Sequence, residues 1–296
     1  MRCIYDGLHP CGKCPACLAN RQRAFCFRLD QEREACAFYF WLTLQYSDKY
    51  VPRLEDGEMC FSKAHCRGFF EKVRKRYEPK GFSFKHFLVS EYGPNSTHRP
   101  HYHCLLLVYS KAPLAQLYLY RQEMKDFLTT KAWKFGHVTE KSFHGRVLSY
   151  LTKYCCKPEL IGQKHTMKPF TLISKGIGLS YLENLSDEMK AQMVDNLDFV
   201  VRYGNSKIQL PRYYVDKILP HSAADERNAL LSGDVEKWEN YRELRYRFQD
   251  KQKQVQRRRI ESLRNVSYEM EYSDRQNRIS ATWANFKSKV NSRKDL

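Results

Sequence analysis

The chain predicts an α+β fold in which strands and helices alternate as β-α-β-β-α-β, and three observations carry that prediction. Ala37–Tyr46 is an almost unbroken aromatic and apolar run, AFYFWLTLQY, the signature of a central strand. Phe82–Tyr92 and His101–Tyr109 are two further strand-like segments joined by Gly93-Pro94-Asn95-Ser96-Thr97, strong turn chemistry that reads as an antiparallel hairpin. Between and after these lie two stretches whose apolar residues recur at helical spacing.

The elements follow in order. A helix is expected over 18–34, rich in Arg and Gln. After the first strand, Ser62 can cap a helix with Cys66, Phe69, Phe70, Val73 and Tyr77 on one face. Lys72, Arg74, Lys75 and Arg76 fall largely off that stripe, as solvated charge or a phosphate-facing surface. Pro113 starts a second helix with Leu114, Leu117, Tyr118, Met124, Phe127 and Leu128 on one face. Phe135–Glu140 reads as a fourth strand, and a helix over 145–157 is stopped by Pro158. The order matches a ferredoxin-like split fold, an antiparallel sheet with helices on one face and room for a site on the other. Residues 1–36 read as a Cys-containing N-terminal segment, 37–220 as the main domain, and 221–296 as a basic helical tail.

The 296 residues carry a net charge of +18, of which +13 lies in residues 1–220, so the field belongs to the body of the protein. Such a field attracts polyanions, and the interleaving of 41 Phe, Trp and Tyr residues with cations favours nucleic acid, because bases stack on rings while phosphates pair with Lys and Arg. A basic ribosome-associated or membrane-surface protein is the bland alternative. No signal-peptide pattern or membrane-length apolar run stands in the sequence, so a soluble, non-secreted protein without a membrane partner is expected. Eleven cysteines in such a chain read as thiols or metal ligands. Cys11, Cys14 and Cys17 follow two successive C-x-x-C spacings, close enough for tetrahedral zinc with Cys3 as a possible fourth ligand; free thiols in a loop are the alternative.

Three pieces carry chemistry. In His98-Arg99-Pro100-His101-Tyr102-His103, His101 and His103 share one face of a strand and Tyr102 points to the other. Two adjacent imidazoles form half of a metal site, or a structural surface pair. Glu91, across the hairpin, can come beside them; two imidazoles and a carboxylate suit Mg²⁺ or Mn²⁺ acting on a phosphodiester, whereas a plain cross-strand contact is the alternative. Tyr150 and Tyr154 lie four residues apart on one helix face, and Lys153 and Lys157 each follow a tyrosine by three. Tyrosine can attack phosphorus, and an ammonium nearby favours that attack; two tyrosines in a core with snorkelling lysines is the competing reading.

His101-Tyr102-His103 and Tyr150-Leu151-Thr152-Lys153-Tyr154 resemble the two signature motifs of HUH endonucleases, in the two-tyrosine class of rolling-circle replication initiators. Phe40-Trp41-Leu42-Thr43-Leu44 resembles their first motif. Together with Cys11-Gly12-Lys13-Cys14, Lys175-Gly176-Ile177-Gly178 and Pro211-Arg212-Tyr213-Tyr214, they are similar to initiators of the gokushovirus branch of the Microviridae, over roughly residues 10–220. The first motif in relatives often continues with a second threonine and an acidic residue; here Gln45 and Tyr46 follow, with Asp48 later. The resemblance implies a divalent metal on His101, His103 and a carboxylate, for which Glu91 is the candidate. It further implies attack by Tyr150 and Tyr154 on phage origin DNA, double-stranded replicative form and single strand, with host polymerase and helicase as partners in the host bacterial cytoplasm. The rivals are a related HUH transposase or relaxase, and a non-enzymatic zinc-stabilised DNA-binding protein.

Overall fold

The computed structural model describes residues 11–12, 14–93, 98–142, 147–153, 167–219, 223–264, 277, 280–281 and 283–285. The chain divides into two compact units, residues 28–180 and residues 1–27 with 181–296, boundaries that differ from an expected domain over 37–220.

The unit spanning 28–180 is built on a five-stranded antiparallel sheet. Its strands are β1 (Phe38–Tyr46), β2 (Phe82–Tyr92), β3 (Pro100–Ser110), β4 (Gly136–Lys141) and β5 (Thr171–Ile173), in the order β4-β1-β3-β2-β5. The first four form the split β-α-β-β-α-β arrangement that the sequence predicts; β5 extends the edge beyond β2. Helix α1 (Pro15–Ala35) precedes β1; α2 (Lys63–Tyr77) links β1 to β2; α3 (Leu114–Phe127) links β3 to β4; α4 (Val147–Lys153) follows β4. Ser62 caps α2 as expected, its hydroxyl accepting from the His65 amide at 3.2 Å.

Alternation along the strands sorts the two faces of this sheet. Phe40, Leu42, Leu44, Leu88, Tyr102, Cys104, Leu106 and Val108 point to one side and pack in a single cluster with Cys66, Phe69, Phe70, Val73 and Tyr77 of α2 and Met124 of α3. Each large apolar side chain buried this way contributes on the order of 1.5–3 kcal/mol. The odd-numbered residues of β1 and β3 therefore face away from α2 and α3. On α3 the predicted stripe holds only in part: Met124 is buried and Leu117, Tyr120 and Phe127 pack on the core, but Leu114 and Tyr118 are exposed. Helical spacing identifies a face but not how much of its length the core reaches. Gly136 opens β4 where no other residue fits, since a Cβ there would lie 2.2 Å from the Gln45 carbonyl oxygen.

His86 sits on the helix-covered face of β2, its ring stacked on Phe70 at 3.8 Å and its Nδ1 3.0 Å from the Ser174 hydroxyl. Burial pushes its pKa from 6.5 down to about 4. The folded chain thus keeps this ring neutral, whereas the unfolded chain binds a proton below about pH 6.5. The stability this neutrality supplies is complete above about pH 6.5 and lost as pH falls toward 4, by up to about 3 kcal/mol. His86→Gln, neutral at every pH, should flatten the fall in urea midpoint between pH 7 and 4.5; an unchanged slope would refute this assignment.

The other unit contains α5 (Leu179–Glu183) in part, α6 (Asp187–Asp195), a β6–β7 hairpin (Val200–Tyr203 and Ser206–Gln209), α7 (Arg212–Ile218), α8 (Ala223–Ser232) and α9 (Val235–Arg264). Phe27, Phe199, Ile208, Tyr214, Val215 and Phe248 form its core, with Tyr241 and Leu244 packed against them. The region expected to be a basic helical tail thus sends one face of α9 into a core, and buried Arg245 pairs with Asp216 at 2.5 Å. Among the described residues, no helix is long and apolar enough to cross a membrane.

Candidate metal and nucleophile site

The face of the sheet turned away from α2 and α3 carries the candidate site. β3 is flanked by β1 and β2, and the two registers set rows of side chains across three strands. Gln45, His101 and Glu91 form one row; Thr43, His103 and Val89 form the next. Glu91 stands directly opposite His101, and its Oε2 lies 3.4 Å from His101 Nε2 and 3.2 Å from His103 Nε2. The two imidazole rings are 5.0 Å apart and nearly perpendicular. The ligand atoms of all three residues lie within 4.8 Å of one another.

The outer nitrogens decide which atoms face inward. His101 Nδ1 sits 3.2 Å from the Arg99 carbonyl oxygen. A carbonyl only accepts, so Nδ1 carries the proton and Nε2 holds its lone pair toward Glu91. His103 Nδ1 is 3.3 Å from the hydroxyl of Thr43, a buried residue on the neighbouring strand that orients the ring. Burial pushes His103 down to about 4, against the opposing pull of Glu91, so the ring is neutral at physiological pH and its lone pair is available. Two imidazole nitrogens and one carboxylate oxygen, each held by a second contact or a strand register, fit a divalent cation with positions left open.

Helix α4 brings Tyr150 to the same face. Its ring meets Trp41 edge-on at 5.9 Å and His103 at 5.7 Å. Lys153, buried despite its charge, places Nζ 4.1 Å from the centre of the Tyr150 ring. Thr152 is fully buried and bonds back to the Leu148 carbonyl at 2.7 Å. Of the seven site residues expected from sequence, Glu91, His101, His103, Tyr150 and Lys153 are thus found on or beside one face; Tyr154 and Lys157 lie outside the described residues, as does Cys3. Thr43 belongs to no expected site set, and its place beside His103 depends on the β1–β3 register, which joins residues sixty positions apart.

A second contact network lies farther along the same face. Glu32 of α1, buried, accepts from Lys85 Nζ at 2.6 Å, from the Tyr109 hydroxyl and from the Gly178 amide. Arg28 donates twice to the Ile177 carbonyl, at 2.9 and 3.1 Å. These contacts tie the Lys175-Gly176-Ile177-Gly178 loop and α1 to the sheet.

With this geometry in place, the comparisons become informative. A family model for replication-associated proteins of the ORF2 type matches residues 39–159, a span that begins in β1 and includes every expected metal ligand and tyrosine. The chain is 24% identical over 234 residues to the replication-associated protein ORF2 of Spiroplasma virus 4, covering 73% of this chain and 69% of that protein. No solved structure matches it. Both likenesses support a replication-associated protein.

Proposed function

We propose that the chain is a phage rolling-circle replication initiator of the two-tyrosine HUH class, of gokushovirus type, which nicks and rejoins single-stranded origin DNA. The observation that carries this reading is the convergence of Glu91, His101 and His103 with the Tyr150 ring on one sheet face. The likeness to viral replication proteins and the +18 net charge support it.

Glu91, His101 and His103 would hold a divalent ion, Mg²⁺ or Mn²⁺. When bound, that ion draws charge from a non-bridging phosphate oxygen. The strand backbone keeps the three ligand side chains in place before DNA arrives, so little reorganisation opposes binding. Tyr150 supplies the attacking phenol oxygen; it bonds to phosphorus as the bond to the 3′ oxygen breaks, giving a 5′-phosphotyrosine and a free 3′ hydroxyl. Lys153, at the Tyr150 ring, favours the phenolate as the proton leaves. That hydroxyl can prime a host polymerase on the replicative form, with a host helicase opening the duplex in the bacterial cytoplasm. Tyr154, one helical turn on in sequence, cleaves the regenerated origin, and the released 3′ hydroxyl attacks the first phosphotyrosine to close the circle.

Incubating the wild type with Mn²⁺ and single-stranded oligonucleotides tiling the encoding genome should give a covalent protein–DNA adduct that survives denaturation. The Tyr150→Phe/Tyr154→Phe variant should give none while binding the same oligonucleotides. Absence of an adduct with the wild type under any divalent ion, or its persistence in the double variant, would overturn the proposal.

A further inference from the structure

The three cysteines ahead of α1 form a second cluster, far in sequence from the histidines and unused by the chemistry above. We infer that Cys11, Cys14 and Cys17 are three ligands of a mononuclear zinc site, completed by a fourth ligand from residues 1–10, where the sequence offers Cys3 and His9.

Three observations carry this. The sulfur atoms of Cys11, Cys14 and Cys17 all lie within 4.8 Å of one another, and those of Cys11 and Cys17 are 4.0 Å apart. Four thiolates bound tetrahedrally at about 2.3 Å from zinc stand roughly 3.8 Å from each other, so the trio is spaced for one ion. The same C-x-x-C-x-x-C spacing also occurs in iron–sulfur proteins, but there each sulfur sits on a different iron and the sulfurs must be held farther apart. The distance therefore separates the two readings where the spacing cannot.

The backbone is also arranged for thiolates. The Cys14 amide donates to Cys11 Sγ at 3.3 Å and the Cys17 amide to Cys14 Sγ at 3.5 Å, each donor three residues beyond its acceptor. Gly12 adopts φ 75°, a left-handed conformation that lets the chain turn back so that the Cys14 amide reaches Cys11. Amide donors to sulfur spread the negative charge that metal-bound thiolates carry, the outer contacts typical of such sites. Finally, Cys14 is fully buried and Cys17 nearly so, while Cys11 is exposed. Cys14 stands immediately before α1, its carbonyl accepting the Leu18 amide at 2.9 Å, so an ion there would fix the start of the helix that carries Arg28 and Glu32.

A disulfide is the competing use of these thiols. Joining Cys11 to Cys17 would leave buried Cys14 unused and would not account for the amide bonded to its sulfur.

The test uses the full chain, purified under reductant and stripped of metal by chelation. Titrated Co²⁺ should give a thiolate-to-cobalt charge-transfer band and tetrahedral visible bands that saturate at one equivalent, and Zn²⁺ should displace it. Cys14→Ser should lose stoichiometric binding. Cys11→His, which keeps a ligand at that position, should retain one equivalent with a weaker charge-transfer band, so a folding failure in Cys14→Ser does not protect the inference. Cys26→Ser and His101→Ala/His103→Ala should leave the thiolate band unchanged. Absence of that band, its survival in Cys14→Ser, bound iron with acid-labile sulfide, or a Cys11–Cys17 disulfide in the reduced native protein would each overturn the site.

Discussion

Replacing His103 with alanine should cut divalent-dependent nicking by at least about 100-fold while changing single-stranded DNA affinity only a few-fold. Loss of a contact that merely orients a ligand already costs roughly 10–100-fold in metal affinity or activity, and here a ligand itself is removed. The DNA affinity is spared because it rests on phosphate pairing by Lys and Arg spread over a +18 protein. Glu91→Gln keeps the shape of the side chain but removes the charge shared by both Nε2 atoms, so it should weaken Mn²⁺ binding and nicking in parallel. Calorimetric Mn²⁺ titration, single-turnover cleavage and fluorescence anisotropy with labelled DNA separate the terms. Full cleavage by His103→Ala would remove the histidine pair from the mechanism, and a large loss of DNA affinity would show that the substitution damages more than the metal site.

The other large effect is on stability. Glu32→Ala should lower the free energy of unfolding by about 3–5 kcal/mol, toward the lower end because the Lys85 side chain is 30% exposed and partly solvated. The change leaves an ammonium, a phenol hydroxyl and a backbone amide with no common acceptor. The Tyr109 hydroxyl cannot compensate by ionising, since burial and the Glu32 carboxylate both hold it protonated far above its ordinary range. Glu32→Gln keeps an acceptor oxygen and should lose less. The reading is the urea midpoint at constant m-value; a loss under about 0.5 kcal/mol in Glu32→Ala would show that the network is not what holds the Lys175–Gly178 loop.

Glu32 also marks where reading the chain by itself falls short. In sequence it is one acidic residue in an Arg- and Gln-rich helix, with the look of a solvated face. Its burial arises because β2, β3 and the loop after β5 meet it from positions 53 to 146 residues away. Thr43 is a similar case: its role at His103 exists only through a strand register that no local pattern specifies.

The local signals were those with a short period. Alternation by two placed His101 and His103 on one face before any coordinates, because successive strand side chains point to opposite sides whatever surrounds them. Helical spacing and a capping serine located α2, and the element order alone identified the split fold, since each depends on neighbours within a few residues. Tertiary structure decided the rest: that Glu91 stands opposite His101 and not one residue away, that α4 lays Tyr150 against Trp41 and His103, and that α3 buries Met124 while leaving Tyr118 in solvent. A one-residue slip in the β2–β3 register would turn Glu91 to the opposite face of the sheet and dissolve the ligand set. The chain therefore declares its ligands and its nucleophile locally, whereas the site they form is a property of registers and packing between segments far apart in sequence.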